Sequence, residues 1–184
     1  MAEFDPCFEK VILLEGGYKL HDVRGDRGGM TYAGISQKNW PKWEGWGKIM
    51  ANEFDAELTA MVRRFYKTEF WDKIRGDGIH SQEAAYHIFA FAVNAGIRTA
   101  VRMAQRIIGA TPDGIFGNQT FARLNDMVRD EKDERIFVVT FSLFKVFRYK
   151  DICMNDPRRK EDRIESNQKF LCGWINRVQK GLES

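Results

Sequence analysis

The sequence predicts a mainly α-helical fold that carries a small β-hairpin lobe near the N-terminus. Two observations lead to this fold class. Apolar residues recur at intervals of three and four along most of the 184-residue chain, which is the spacing of one face of a helix. Residues 18–35, in contrast, are rich in glycine and aspartate and contain short β-branched or aromatic pieces, which favours a hairpin or an irregular lobe.

The first predicted helix has an apolar face that ends on an acid. The members of that face follow helical spacing: Phe4, Phe8, Val11, Ile12 and Glu15. Gly16 and Gly17 come directly afterwards, and glycine readily adopts the left-handed conformation that caps helix C-termini. The helix is therefore predicted to stop at Glu15.

The remaining chain continues the helical pattern. A stretch with Trp40, Trp43 and Trp46 predicts a packed loop, and residues 111–117 predict a turn. Further helices are predicted over residues 53–70, 81–95, 97–109, 118–129, 134–150 and about 160–180. The segment 81–95 is apolar nearly all round, so it is predicted to be a central buried helix.

The composition excludes several classes of protein. The chain has 29 Lys and Arg against 26 Asp and Glu, a balance too mild for a typical nucleic-acid binder. A weakly basic surface would still suit an anionic polymer. The three cysteines are far apart and have no metal-ligand spacing, so neither a disulfide framework nor a zinc site is indicated. No metal and no cofactor is expected.

Glu15 is the candidate for acid chemistry. It continues an apolar helix face, and loss of solvation favours the protonated form of a carboxyl group. Glycoside hydrolysis needs such an acid together with a second polar group that handles water or the developing cation. Asp26 and Thr31, in the adjacent lobe, are candidates for that second role. On spacing alone, two plainer interpretations stay open. Glu15 could be a solvated glutamate at a helix end, and Asp26 could be a turn former beside glycine.

Several multi-residue motifs carry a specific resemblance. They are, in chain order, EGGY (15–18), D-x-x-x-D-x-G-G-x-T-Y-x-G-I-S (22–36), FYKTEFWDKIRGD (65–77), FAFAVNAG (89–96), VRMAQRIIG (101–109), DGIFGNQT (113–120) and GWINRV (173–178). With these motifs the chain resembles glycoside hydrolase family 108, whose members are phage endolysin-type N-acetylmuramidases that some bacteria also use in protein secretion.

The resemblance implies a lysozyme-like fold and a division of the chain. Residues 1–95 would form the catalytic region, and residues 96–184 a helical peptidoglycan-binding subdomain packed on it. The family's catalytic glutamate falls on Glu15, and Asp26, Thr31 and Tyr32 would lie at the cleft. One departure is the FAF sequence at 89–91, where family members often carry an acid in the middle position.

Three further residues are substrate-binding candidates. Tyr18 and Tyr32 could stack on sugar faces, although aromatic residues at this density usually belong to a core. Asn94, at the end of the central helix, could donate to a substrate N-acetyl group or cap the helix.

The resemblance implies a peptidoglycan hydrolase that cleaves the β-1,4 bond between N-acetylmuramic acid and N-acetylglucosamine. A lytic transglycosylase and a noncatalytic peptidoglycan-binding protein are the alternatives. Bacterial peptidoglycan is the expected partner, nucleic acid is not, and a monomer is expected. The N-terminus has no signal-peptide pattern and no segment reaches membrane-spanning length. We therefore expect synthesis in the bacterial cytoplasm, no membrane anchor, and action on the periplasmic wall after holin-type or other export.

Overall fold

The computed structural model describes residues 1–21, 30–155 and 168–182 of the chain. These residues form eight α-helices and one three-stranded sheet. The helices are α1 Phe4–Leu14, α2 Gly45–Met50, α3 Ala56–Tyr66, α4 Gln82–Ala95, α5 Ile97–Ile107, α6 Asn118–Met127, α7 Glu131–Met154 and α8 Gln168–Leu182. The predicted mainly α architecture is confirmed.

The small sheet lies where the glycine-rich lobe was predicted. Its strands are β1 Leu20–His21, β2 Thr31–Tyr32 and β3 Ile35–Ser36, paired antiparallel in that order. Leu20 pairs with Tyr32, and Tyr32 in turn pairs with Ile35 across a tight turn. Asp22 and Asp26, between β1 and β2, lie outside the described residues.

The chain divides into two compact units. One is Glu3–Asp77, and the other joins Met1–Ala2 to Gly78–Ser184. The division suggested by the motifs, between residues 95 and 96, stays a prediction about the two regions' roles. In packing terms α4 belongs with the second unit, which also contains α5 and α7.

In the unit Glu3–Asp77, aromatic rings join α1 to α3. Phe8 stacks on Phe4 with ring centroids 5.4 Å apart, and it contacts Tyr66 of α3 at 5.6 Å. Trp71 is fully buried in the π-helical turn Lys67–Trp71 that extends α3. These contacts pack the N-terminal half of α1 against α3.

In the other unit, α4 is the central helix. Eight of its residues are buried, in agreement with the apolar pattern: Ala84, Ala85, Tyr86, His87, Ile88, Phe89, Phe91 and Ala92. Ser81 caps it by accepting a hydrogen bond from the Ala84 amide at 2.9 Å. No helix among residues 1–21, 30–155 and 168–182 is long and apolar enough to cross a membrane.

Two local predictions were wrong in detail. Trp46 was assigned to a loop, but it lies inside α2, and its indole nitrogen donates to the Trp40 carbonyl at 2.8 Å. This hydrogen bond ties the short helix to a segment whose proline and glycines favoured a loop. The helix predicted over 53–70 ends its α-helical part at Tyr66 and continues as the π-helical turn.

Candidate active site

Glu15 lies at the C-terminal end of α1, as predicted. The Gly17 amide donates to the Ile12 carbonyl at 2.8 Å, and the Gly16 amide donates to the Leu13 carbonyl at 3.1 Å. Both glycines have positive φ, 93° and 75°. These bonds form a Schellman motif, which ends the helix just after Glu15. Val11 and Ile12 are buried, whereas Glu15 is half-buried. Glu15 therefore lies at the edge of the core, at the end of the apolar face of α1.

The turn between β2 and β3 packs directly against Glu15. A Cβ atom on Gly34 would lie 3.0 Å from the Glu15 Cβ and only 2.5 Å from the Tyr66 hydroxyl oxygen. Gly34 also has a φ of 78°, a conformation that disfavours other residues. Only glycine therefore allows the hairpin to approach Glu15 this closely.

Tyr66 of α3 holds this turn through a hydrogen bond. Its hydroxyl donates a 2.8 Å hydrogen bond to the carbonyl of Ala33, and its side chain is almost completely buried. Burial raises the pKa of Tyr66 well above its usual range, and the nearby negative charge of Glu15 adds to this effect. The phenol therefore stays neutral beside the glutamate. Sequence reasoning missed Tyr66, because its position on α3 gives no sign that it reaches the hairpin.

Thr31 and Tyr32 occupy the strand that leads into the same turn. Thr31 is half-buried and pairs with His21 and Ser36. Tyr32 is buried, its ring lies 5.8 Å from that of Phe54, and burial raises its pKa. This packing gives Tyr32 a clear role in the core of the lobe.

Tyr18 is the more accessible of the two tyrosine candidates. Its side chain is 38% exposed. Partial burial raises the pKa of Tyr18, and the charge of Glu9 raises it further. The structure thus places Glu15, Thr31, Tyr32 and Tyr18 in one unit, whereas Asp26 lies outside the described residues.

Asn94 belongs to the other unit, and it does not cap α4. The helix ends at Gly96, whose φ is 85°, while the Asn94 Oδ1 accepts a 3.0 Å hydrogen bond from the Tyr149 hydroxyl of α7. Asn94 is exposed, so the contact ties α4 to α7 at the surface. The capping interpretation was wrong because the glycine, with its positive φ, already terminates the helix.

An open cleft of about 460 Å³ lies beside α3 in the unit that contains Glu15. Aromatic and polar groups both line it: Asn39, Trp40, Pro41, Lys42, Trp43, Glu44, Met61, Arg64, Phe65, Thr68 and Glu69. Trp40 and Trp43 are half-buried, and the ring of Trp43 folds closely over Gly45. Trp71, in contrast, is fully buried and donates its indole N–H to Asp77 at 2.7 Å. Trp46 is buried as well, so of Trp43, Trp46 and Trp71 it is Trp43 that has an accessible ring for sugar stacking.

The turn in the DGIFG motif has a structural role. Gln105 of α5 is buried, and its amide nitrogen donates to Asp113 Oδ1 at 2.8 Å and to the Ile115 carbonyl at 3.0 Å. Its amide oxygen accepts from the Gly114 amide at 2.9 Å. The Ile115 amide, followed by Gln105, holds the pKa of Asp113 below its usual range. Gln105 therefore holds the turn in place and does not lie on a solvated face.

Among the described residues, no group of three or more His, Cys, Asp or Glu side chains is arranged to hold a metal ion. Cys7 and Cys153 are buried, and Cys172 is exposed.

Two protein families match the chain, one after the other. Residues 8–96 match Glycosyl hydrolase 108, and residues 99–179 match the Predicted Peptidoglycan domain. Both agree with the motifs identified in the sequence. No curated protein matches the chain.

Among solved structures, SagA of Brucella abortus is similar, with a TM-score of 0.68 and 23% sequence identity. The similarity covers 97% of this chain and 90% of that one, so the two share a fold over nearly their whole length. The predicted lysozyme-like fold class is confirmed. Because one family match contains Glu15 and its hairpin and the other follows directly, residues 8–96 belong to glycoside hydrolase family 108, and the chain, with its C-terminal peptidoglycan domain, is a peptidoglycan hydrolase.

Proposed function

We propose that this enzyme is an N-acetylmuramidase that hydrolyses the β-1,4 bond between N-acetylmuramic acid and N-acetylglucosamine, with Glu15 as the general acid. The observation that carries the proposal is the position of Glu15. It stands half-buried at the end of an apolar helix face, against a glycine turn and the neutral phenol of Tyr66. Among the residues that the structure describes, no atom would lie within 4 Å of a Cβ on Gly16 or Gly17. A sugar ring could therefore approach the carboxyl group.

The reaction begins with proton transfer. The Glu15 carboxyl donates its proton to the glycosidic oxygen while the bond from that oxygen to C1 of N-acetylmuramic acid breaks. The bonding electron pair leaves with the N-acetylglucosamine oxygen, and positive charge develops at C1 and the ring oxygen. Water then adds to C1 and loses its proton to a carboxylate.

Asp26 and Thr31 are the proposed partners in the second half of the reaction. As a carboxylate, Asp26 would accept the proton of the attacking water or stabilise the developing cation. Thr31 would orient the water through its hydroxyl group. Thr31 sits on β2, immediately before the Tyr32–Gly34 segment that reaches Glu15, and this supports its assignment.

Substrate binding near Glu15 is proposed to involve Tyr18 and Tyr32, and Asn94 is proposed separately as a hydrogen-bonding group of the other unit. The accessible surface of Tyr18 supports sugar stacking there, while the burial of Tyr32 limits it to edge contacts. The cleft lined by Trp40 and Trp43 combines apolar faces with polar rim groups, as saccharide sites do. Lysis of the wall as an endolysin and local wall opening for protein secretion are the two proposed settings for this activity.

The decisive test is Glu15→Gln, with Glu9→Gln as a matched control on the exposed side of the same helix. Loss of a general acid typically lowers the rate by about 10²–10⁴-fold. We expect Glu15→Gln to lose the release of reducing ends from purified peptidoglycan while it keeps its fold and its binding to sacculi. The Glu9→Gln enzyme should remain active. Undiminished activity of Glu15→Gln would contradict the assignment.

Mass spectrometry of the products separates hydrolysis from transglycosylation. A hydrolase leaves N-acetylmuramic acid with a reducing end, because water has added to C1. A lytic transglycosylase leaves a 1,6-anhydro sugar that is lighter by one water. We expect reducing-end products only, and anhydro products would favour the transglycosylase.

A further inference from the structure

A second cavity, distinct from the tryptophan cleft, lies within the unit that contains the peptidoglycan domain. It has a volume of about 610 Å³ and lies between α5 and α7. On α5 its lining residues include Arg102, Met103 and Arg106, which share one helix face. This volume falls within the usual range of small-ligand sites, about 300–1,000 Å³.

The rim of this groove is positively charged. Arg102 and Arg106 from α5 and Arg148 from α7 are all exposed and line it, together with a single acid, Asp151. Within the parts of the chain that the structure describes, no carboxylate lies within 4 Å of any of these three guanidinium groups. Arg102 also lies close to Asp113, whose pKa it helps to lower, but that acid is already held by the Ile115 amide and Gln105.

The floor of the groove is apolar. Met103 is almost fully buried, and Phe144 and Ile152 are half-buried, while Phe147 is 56% exposed at the rim. Guanidinium groups bind carboxylates through two parallel hydrogen bonds, and an apolar floor takes methyl and methylene groups. The groove therefore suits a short peptide that carries several carboxylates, one ammonium group and small aliphatic side chains.

We infer that this groove binds the stem peptide of peptidoglycan, with Arg102, Arg106 and Arg148 on its carboxylates and Asp151 on its free ammonium group. The inference rests on the proposed function in one respect, namely that peptidoglycan is the polymer on which the enzyme acts. An uncrosslinked stem peptide of the diaminopimelate type has several carboxylates, one free ammonium group, and alanine methyl groups. This composition matches the three cations, the single acid and the apolar floor. The glycan strand itself carries fewer charges and does not explain three arginines.

Binding is tested by calorimetry with two probes on the full chain. The first probe is a purified disaccharide tetrapeptide of the diaminopimelate type, and the second is the same molecule with its carboxylates amidated. All variants carry Glu15→Gln so that the sugar bond stays intact during titration. We expect amidation to weaken binding at least tenfold, because each charge-assisted hydrogen bond accounts for about a tenfold change in affinity.

The Arg106→Gln/Arg148→Gln pair removes two of the three cations from the groove. It should bind the acidic probe at least tenfold more weakly and no longer distinguish it from the amidated one. The matched control is Arg129→Gln/Arg135→Gln, which removes the same charge from exposed positions of the same unit. That control should stay within twofold of the parent. Circular dichroism and thermal unfolding verify that both pairs are folded.

Three results would overturn the inference. They are unchanged affinity and discrimination in the groove variant, an equal loss in the control pair, and competition by inorganic phosphate at the same concentration as the peptide. The proposed function fails separately. If the wild-type enzyme releases no reducing ends but the peptide probe still depends on Arg106 and Arg148, the muramidase assignment is wrong and the peptide site stands.

Discussion

Two glycine turns, one in each unit, pack against a polar side chain on a helix, and they do so with opposite results. In the peptidoglycan-domain unit the Asp113–Gly114 turn packs on Gln105, which is buried and uses both ends of its amide in hydrogen bonds. In the other unit the Gly34 turn packs on Glu15, which is only half-buried. The first arrangement buries a polar group inside the fold, whereas the second packs on the Cβ and Cγ of a glutamate whose side chain stays partly accessible.

The difference shows how similar local geometry serves stability in one place and chemistry in another. A buried amide with all its bonds made contributes to folding and has no capacity left for a ligand. A carboxylate held at the edge of a core can exchange a proton with a substrate. The two turns therefore respond differently to mutation, one through stability and the other mainly through activity.

The largest stability effect is expected for Gln105→Ala. The change leaves the Gly114 amide without its acceptor, and it removes the side-chain donor that the Thr120 hydroxyl and Asp113 share. Because each buried group that loses its partner costs about 1–3 kcal/mol, we expect a loss of about 3 kcal/mol in the free energy of unfolding. Urea denaturation measures it. Gln119→Ala, at an exposed position of α6, is the control and should change stability by less than about 0.5 kcal/mol. If Gln105→Ala and Gln119→Ala changed the free energy of unfolding equally, Gln105 would not hold the Asp113–Gly114 turn as the structure indicates.

A somewhat smaller effect on stability, but a larger one on activity, is expected for Gly34→Ala. The new methyl group would lie 2.5 Å from the Tyr66 hydroxyl, and the φ of 78° would be strained. We expect a loss of about 2 kcal/mol in unfolding free energy and a strong fall in peptidoglycan hydrolysis, because the turn moves away from Glu15.

Two companions sharpen this experiment. Gly34→Ala combined with Tyr66→Phe removes the hydroxyl that the methyl group would strike, so part of the stability should return relative to the sum of the single changes. Gly47→Ala, inside α2 with no atom within 4 Å of the added carbon, should stabilise the fold by about 0.5–1 kcal/mol. If Gly34→Ala does not lower the free energy of unfolding, as expected for Gly47→Ala, the turn does not pack closely against Glu15 and Tyr66.

The smallest effect concerns a buried charge in the same unit as Gln105. Lys145 Nζ lies 3.0 Å from His87 Nδ1, and burial lowers the pKa of Lys145 to about 8. The pKa of an unfolded lysine is about 10.4, so between these values the unfolded chain binds more protons than the folded one. Stability should therefore rise as the pH increases from 8 towards 10.

Lys145→Met should flatten this rise and stabilise the protein at pH 7 by about 1 kcal/mol, because the desolvated charge is gone. Lys150→Met, at an exposed position on the same helix, should leave the pH profile unchanged. Thermal unfolding at a series of pH values measures both. A pH-independent stability of the parent protein between pH 8 and 9.5 would contradict the assignment of a depressed lysine pKa.

Much of the architecture was predictable because it depends on local spacing. The apolar face of α1, its glycine stop after Glu15 and the apolar character of α4 follow from residues a few positions apart. The position of Glu15 at a helix end was likewise predictable. The roles of Asn94 and Gln105 could not be predicted in this way, since their partners Tyr149 and Asp113 come from other segments of the fold.

The sequence by itself determined most of the helices, though not α2, together with the hairpin lobe and the placement of Glu15 at the edge of an apolar face, since periodicity and glycine conformation act within one or two turns of chain. Its motifs also pointed to the family that the comparisons confirmed. Only the tertiary structure decided that Tyr66 and Gly34 back the glutamate and that three arginines from two helices line one groove. Such contacts join residues far apart in the chain, and no local rule of spacing or propensity specifies them.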